Sequence, residues 1–226
     1  MQLNCTTLLL SLLAPAAVLL AGEAENKRIE SAAVTIEEIM AVSDKAIPQD
    51  LFAKAECAVV VPGLKKGAFI VGAKYGRGFA VCRKTDGVGW TAPAAMRVEG
   101  GSVGFQIGGS ESDVIMLVMN KAGMQKLLKS KFTLGGDAAV AAGPVGRESS
   151  AQTDAMMRAE ILSWSRSRGV FAGISLQGAT LRPDRESNEI IYGKEVSYPD
   201  ILTGKAATPP AAERLIATLN KYASRK

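Results

Sequence analysis

The stretch that decides the fold is rich in glycine and reads Gly67-Ala-Phe-Ile-Val-Gly-Ala-Lys-Tyr-Gly-Arg-Gly78. Glycine then recurs at short intervals as far as Gly109. Because each glycine weakens a helix by about 1 kcal/mol relative to alanine, a stable helix is excluded here. In strands, repeated glycine marks bulges, tight bends or the close approach of another backbone. Residues 67–110 are therefore predicted to form a curved antiparallel meander.

Further strands are predicted downstream of this segment. The apolar run Val114–Met119 is typical of a central strand covered on both faces, and Asn120 is suited to cap a short helix after it. Residues 134–146 have little side-chain bulk, which indicates a backbone held close to a neighbour. Residues 159–166 and 170–181 alternate in part, so they predict a hairpin with its turn between them.

Helices are predicted on both sides of this β-rich region. Residues 28–45 place apolar side chains at helical spacing on one face, which we expect to pack against the core. A short second helix is predicted to start at Pro48 and to end near Ala55. Towards the other end, Thr208 is expected to cap a helix that starts at Pro209. The predicted fold class is α+β, with a Gly-rich antiparallel β-sheet or flattened barrel flanked by N- and C-terminal helices.

The first residues of the chain have the pattern of an export signal. Residues 8–20 are almost wholly apolar and are followed by the small residues Ala21, Gly22 and Ala24. A membrane-spanning helix needs about 20 apolar residues, so permanent insertion is the weaker interpretation. We therefore expect a signal peptide over residues 1–24 and a single domain over residues 25–226, in an exported protein of the periplasm or cell envelope, or a secreted one.

Two cysteines, Cys57 and Cys82, lie in the predicted domain, and each sits in an apolar run. One interpretation is that both are small buried hydrophobic residues. The other is that they form one disulfide in an oxidising compartment. The sequence leaves both interpretations open.

The composition argues against catalysis. The chain contains 0 histidines, which excludes Ser-His-Asp and Cys-His catalysis and the usual histidine zinc sites. Residues 100–104 match the Gly-x-Ser-x-Gly pattern, but Ser102 would need a histidine to accept its proton. Carboxylates show no metal-ligand spacing. We expect a protein that is not an enzyme and has no metal or cofactor.

Basic residues are the most informative polar feature. The formal net charge is +5, which favours anionic partners but does not by itself separate phospholipid from nucleic acid. Several basic residues fall in predicted turns, where each would contribute about 1 kcal/mol beside an anionic membrane. For any single one, ordinary solvated surface charge is the alternative. The candidate lipid-binding residues are Lys65, Lys66, Lys74, Arg77, Arg147, Arg166 and Arg168.

Several segments together resemble the SYLF domain family, also described as the yeast actin-binding domain family. The resemblance covers residues 30–204, and its order and spacing are more specific than any one segment. It rests on Gly72-Ala-Lys-Tyr-Gly-Arg-Gly78, Trp90-Thr-Ala-Pro93, Gly104-Phe-Gln-Ile-Gly108 with Ser112-Asp113, residues 134–147, residues 163–178, Tyr192-Gly193 and Ile201-Leu-Thr-Gly204.

This resemblance implies lipid binding and supplies no catalytic residues. It suggests a non-enzymatic, bacterial-type exported member that binds anionic phospholipid or a membrane surface, with no nucleic acid partner. Actin is expected to be an unlikely partner if the protein is exported. Two alternatives remain at this point: an envelope structural or interaction protein without a lipid ligand, and a hydrolase whose chemistry uses no histidine.

Overall fold

A mixed β-sheet of nine strands organises the part of the chain that the structure describes. The structure is a computed structural model that describes residues 6–42, 46–68, 71–103, 108–146, 158–167 and 169–223. The strands are β1 Cys57–Ala68, β2 Val71–Cys82, β3 Ala94–Val103, β4 Gly108–Val118, β5 Phe132–Thr133, β6 Val140–Ala142, β7 Ile161–Ser167, β8 Val170–Gly173 and β9 Thr180–Pro183. The helices are α1 Thr6–Ala41, α2 Gln49–Lys54, α3 Lys121–Leu127, α4 Arg185–Tyr192, α5 Tyr198–Leu202, a 3₁₀ turn Pro210–Ala212 and α6 Glu213–Tyr222.

The strand order is β5-β9-β3-β2-β1-β4-β7-β6, and β8 pairs with β7. β1 is central and antiparallel to both β2 and β4, whereas β6 and β7 run parallel. The predicted antiparallel meander is found in β1, β2 and β3, which pair in sequence order, whereas β4 pairs with β1 and not with β3. The apolar run that opens β1 gives a physical reason: in a strand buried on both faces the backbone N–H and C=O groups cannot reach water, so each edge needs a strand to pair with.

The sheet buries apolar side chains on both faces. On one face, which we call the helix face, Val60 and Phe79 belong to the same core as Ile36 of α1. On the opposite face, Val59 and Met116 belong to a second core that also contains residues of α3 and α5. This two-sided burial places the helices around a central sheet, so the expected α+β fold is confirmed.

The flanking helices agree with the sequence in type and differ in their bounds. Ile29, Ile36 and Ile39 of α1 are fully or almost fully buried, as the helical spacing predicts, and they share a core with Leu215 and Leu219 of α6. α6 begins at Glu213, later than predicted, because the chain first forms a 3₁₀ turn. In the described part of the chain, no helix combines the length and the apolar character needed to cross a membrane.

The two cysteines form a disulfide between the central strands. Cys57 lies directly opposite Cys82 in the β1–β2 register, and their sulfurs are bonded. Both residues are also fully buried. Of the two interpretations that the sequence left open, the disulfide is the one found.

Candidate anion-binding surface

A bulge in β1 decides which faces Lys65 and Lys66 occupy. The β1–β4 register shifts between Val61 and Leu64. Gly63 lies inside this shift with a φ of 63° and donates its backbone N–H to Asp113 Oδ1 at 3.0 Å. Because side chains alternate along a strand, the extra residue moves Lys66 to the face opposite α1.

Lys66 and Lys74 form a directly opposed cross-strand pair on that opposite face, which we call the lysine pair. Like charges at opposite positions repel, and neither ammonium has a carboxylate within 4.0 Å among the described residues. Burial lowers the pKa of Lys66, and the charge of Lys74 lowers it further. The lysine pair is thus a concentration of positive charge without a counter-ion in the described structure.

Serine side chains border the lysine pair. Ser110 of β4 lies opposite Lys66, and Ser112 lies two residues further along the same face, opposite Leu64. The Ser112 residue is only 6% exposed, and its hydroxyl has no hydrogen-bond partner within the described residues. Buried hydroxyls are nearly always paired, so this one has donor and acceptor capacity left over.

Arg77 lies on the helix face, on the other side of the sheet from the lysine pair. Its Nε donates to Asp184 Oδ2 at 2.6 Å and its Nη2 donates to Ser187 Oγ at 2.9 Å. The hydrogen bond to Asp184 raises the pKa of Arg77 against the opposing effect of burial. Burial acts to raise the pKa of Asp184, but the hydrogen bond and charge of Arg77 outweigh it and lower that pKa. Arg77 therefore uses much of its hydrogen-bonding capacity within the protein.

Arg166 lies near the end of β7, opposite Asp113 of β4. Its Nη2 is 2.7 Å from Asp113 Oδ2, and its Nη1 forms an ion pair with Glu38 of α1. Burial acts to lower the pKa of Arg166, but the hydrogen bonds to Asp113 and Glu38 raise it overall. The predicted hairpin is present as β7 and β8. Arg166 ties that hairpin to α1.

The remaining predicted residues are placed as follows. Lys65 is exposed on the helix face, opposite Tyr75 and Glu111, and forms no ion pair within the described residues. Arg147 and Arg168 lie outside the described residues. The structure therefore brings together Lys66 and Lys74 from the predicted set and separates them from Arg77 and Arg166.

Register also aligns three arginines that sequence spacing did not connect. Arg77 of β2 lies opposite Arg97 of β3, and Arg97 lies opposite Arg182 of β9. We call these three residues the arginine row, and they share the helix face. Neither Arg97 nor Arg182 was a candidate from sequence. The sequence shows only that three segments each contain an arginine, and the strand pairing is needed to show that the three are neighbours.

Comparison with known proteins identifies the class to which this fold and surface belong. Residues 99–222 match the Ysc84 family model, described as "Las17-binding protein actin regulator". The chain belongs to this family, which is the one that the sequence resemblance indicated.

Similar proteins occur in fungi and mammals. LAS seventeen-binding protein 3 of Saccharomyces cerevisiae is 32% identical over 184 residues, which is 80% of this chain and 40% of that protein. SH3 domain-containing YSC84-like protein 1 of Homo sapiens is 35% identical over 180 residues, 79% of this chain and 52% of that protein. An SH3 domain-containing protein of Schizosaccharomyces pombe is 35% identical over 181 residues, 79% of this chain and 42% of that protein. The chain spans about half the length of the curated relatives it matches.

These comparisons bear on two of our expectations. The family description names an actin regulator, so the expectation that actin is an unlikely partner is not supported. The relatives named above are eukaryotic, so they leave the expectation of bacterial-type export as a prediction. The family description and the names of these relatives refer to regulation, SH3 domains and binding of a partner.

Proposed function

We propose that the chain is a non-enzymatic lipid-binding protein that acts at a membrane surface and recognises anionic phospholipid headgroups through the lysine pair. The observation that carries this proposal is the opposed arrangement of Lys66 and Lys74 without a carboxylate within ion-pair distance among the described residues. An anion between the two ammonium groups would relieve their repulsion. Phospholipid headgroups offer such anions at high density.

The position of the lysine pair in the sheet suits contact with a surface. Lys66 and Lys74 lie two residue pairs from Ala68 and Gly72, which form the outermost β1–β2 pair described. On the face of the lysine pair, the residues that flank it in register are Gly100, which has no side chain, and Ser110, which has a small one. Anionic headgroups can therefore approach both ammonium groups closely.

Electrostatics sets the expected strength of this contact. Each basic residue near an anionic leaflet contributes about 1 kcal/mol, so two residues contribute about 2 kcal/mol. Since about 1.4 kcal/mol is a factor of ten, the lysine pair accounts for roughly a thirtyfold change in affinity. Attraction of this kind is screened over about 8 Å at physiological ionic strength, so it weakens as salt is added.

The proposed setting is the cell envelope or periplasm, or the secreted state. The apolar run at residues 8–20 supports it as a signal peptide. The disulfide between Cys57 and Cys82 is consistent with it, because disulfides persist in oxidising compartments. Mass spectrometry of the protein from its native host is the test. A mature N-terminus near Glu23 or Glu25 would support export, and an intact Met1 in the cytosol would contradict it.

The test of lipid binding compares two variants with the same loss of charge. Lys66→Gln with Lys74→Gln removes the lysine pair, whereas Lys129→Gln with Lys131→Gln removes two exposed lysines near the end of α3. Each is measured by co-sedimentation with vesicles of phosphatidylserine and phosphatidylcholine, and with phosphatidylcholine alone. We expect the first variant to bind the anionic vesicles roughly thirtyfold less than the parent and the second to bind nearly as well. Equal binding by the first variant and the parent refutes the proposal.

A second candidate function is protein binding without a lipid ligand. It is favoured by the family description, "Las17-binding protein actin regulator", and by the name of the relative LAS seventeen-binding protein 3. Co-sedimentation with purified actin filaments in the absence of lipid distinguishes it from the first candidate. Binding to filaments together with no preference for anionic vesicles would favour the protein-binding function.

A further inference from the structure

We propose that the arginine row is a second anion site, on the helix face, and that it binds a phosphate group. The register places Arg77, Arg97 and Arg182 at directly paired positions on three neighbouring strands. Adjacent strands lie about 4.8 Å apart, so the three side chains leave the sheet side by side. The lysine pair lies on the other face of the same sheet, so this site is separate from the one proposed above.

The nearby carboxylates pair with the three arginines of the row to different extents. Asp184 Oδ2 forms a close ion pair with the Nε of Arg77, at 2.6 Å, and lies 3.9 Å from the Nε of Arg97. The second distance is too long for a hydrogen bond. The Nε of Arg97 is buried and has no hydrogen-bond partner among the described residues. Arg182 has a carboxylate oxygen of Glu99 at 3.4 Å. Arg97 is therefore the least satisfied member of the row.

The local charge is also unbalanced within the described residues. Four guanidinium groups face three carboxylates, which leaves one positive charge in excess. The guanidinium groups are those of Arg28, Arg77, Arg97 and Arg182, and the carboxylates are those of Glu25, Asp184 and Glu99. Glu25 and Asp184 are buried, at 3% and 1% exposure, so both are fixed parts of the site. An added anion would balance the charge without displacing either one.

Arginine geometry selects the kind of anion. The guanidinium is a planar fork whose donors match the oxygens of phosphate in pairs, and phosphate can accept from two arginines at once. The side chains of Arg97 and Arg182 are 35% and 39% exposed, so a ligand can reach them from solvent. Arg182 is held by a single partly exposed ion pair, which is a weak restraint. A phosphate group between Arg97 and Arg182 would accept hydrogen bonds from both guanidinium groups.

The first experiment uses inorganic phosphate as the probe. Thermal melting of the full chain is measured in phosphate and in chloride at equal ionic strength. Phosphate also stabilises folded proteins in general by exclusion from their surface, so specific binding is the part of the rise in Tm that depends on Arg97. The variant is Arg97→Gln, and the matched control is Arg185→Gln, which removes one exposed arginine nearby at the start of α4. We expect phosphate to raise the Tm of the parent and of the control by equal amounts, and to raise that of Arg97→Gln by less.

Two further measurements separate binding from a structural role. In chloride, Arg97→Gln should melt at or above the parent temperature, because the substitution relieves repulsion within the row. If Arg97 acts only in stability, the variant instead melts lower in both salts and keeps the phosphate effect, which overturns the proposal. Arg97→Lys keeps the charge but loses the fork, and we expect it to bind phosphate about tenfold more weakly than the parent. An equal phosphate effect in the parent and in Arg97→Gln also overturns the proposal.

The source of the phosphate group is identified by two further arms. Glycerol phosphate tests a soluble phosphate ester, and vesicles containing phosphatidic acid test a lipid headgroup. If Arg97→Gln loses binding to glycerol phosphate but not to the vesicles, the site binds a soluble phosphate ester. If it loses binding to both, the site binds the same phosphate group from either source. Failure of the lysine-pair proposal would appear in Lys66→Gln with Lys74→Gln, which leaves the arginine row intact, so the two proposals can fail independently.

Discussion

Gly143 is the position where the smallest change in side chain should have a large effect. It follows β6 and packs against the indole ring of Trp164, which is fully buried. A Cβ at Gly143 would lie 2.0 Å from Trp164 Cε2 and 2.1 Å from Cζ2. The indole cannot move freely, because its Nε1 donates to Pro144 O at 2.8 Å. On the other side, a Cβ at Gly173 would lie 2.1 Å from Gly143 O, so the backbone cannot move away either.

The size of the effect follows from these distances. Carbon atoms in contact normally lie about 3.5–4.0 Å apart, so Gly143→Ala requires a displacement of roughly 1.5 Å within a packed core. Overpacking of this kind costs about 1–3 kcal/mol. For a domain of this size, each kcal/mol lowers Tm by about 2–4 °C, so we expect a decrease of about 2–12 °C.

Gly136→Ala is the matched control. Its Cβ would lie 3.8 Å from the nearest atom, on the Thr133 side chain, which is an ordinary contact. At such a position alanine reduces the entropy of the unfolded chain and stabilises by about 0.4–1 kcal/mol. Thermal unfolding followed by circular dichroism and by tryptophan fluorescence measures both variants. If Gly143→Ala melts with Gly136→Ala at or above the parent, the close packing on Trp164 is refuted.

Three other predictions concern stability. The folded-state pKa of Asp184 is lowered, so the stability from its pair with Arg77 is present above the unfolded pKa of about 3.9 and is lost as pH falls through the folded value. Asp184→Asn should therefore flatten the decrease in Tm below about pH 4. An unchanged slope would contradict this. Reduction of the Cys57–Cys82 disulfide should lower the free energy of unfolding by about 3 kcal/mol, measured in urea with and without a reducing agent, and equal midpoints would argue against it. Asn120→Ala removes the side-chain cap of α3 and should cost about 1 kcal/mol in the same assay, whereas a loss near zero would mean that the cap contributes little.

Local chemistry in the sequence was sufficient to predict several elements. The apolar spacing of residues 28–45 identified the buried face of α1, and Asn120 accepts from Gly123 N at 2.8 Å, as a helix cap does. The absence of bulk in residues 134–146 correctly indicated close packing, although Gly143 and not Gly136 makes the tight contact. These features depend on residues near one another in sequence, so a single chain reveals them.

Pairing across the sheet could not be predicted in the same way. The position of the β1 bulge decides the face of Lys66, and Pro62-Gly63 marks a break in the strand without giving the register after it. The arginine row depends on the pairing of Arg97 with Arg182, which are far apart in the chain. Sequence reasoning therefore identified basic residues as the relevant type but did not sort them by face.

Two short helices, α4 and α5, were also missed. Asp184 caps α4 and Gly193 ends it with a φ of 65°, while the Ser197 side chain caps α5 by accepting from Asp200 N. These are recognisable start and stop signals. The segments between them are only 8 and 5 residues long, which is too short for apolar periodicity to stand out.

The contact between α1 and α6 has a consequence for how the protein is made. Glu37 of α1 accepts from Arg214 of α6, and the two residues are 177 positions apart. Synthesis adds about 5–20 residues per second, so roughly 10–35 seconds pass between the appearance of α1 and that of its partner. During that interval the side chains of Ile29 and Ile36 have no α6 to pack against. The nascent chain is therefore most exposed to association with other chains before α6 leaves the ribosome.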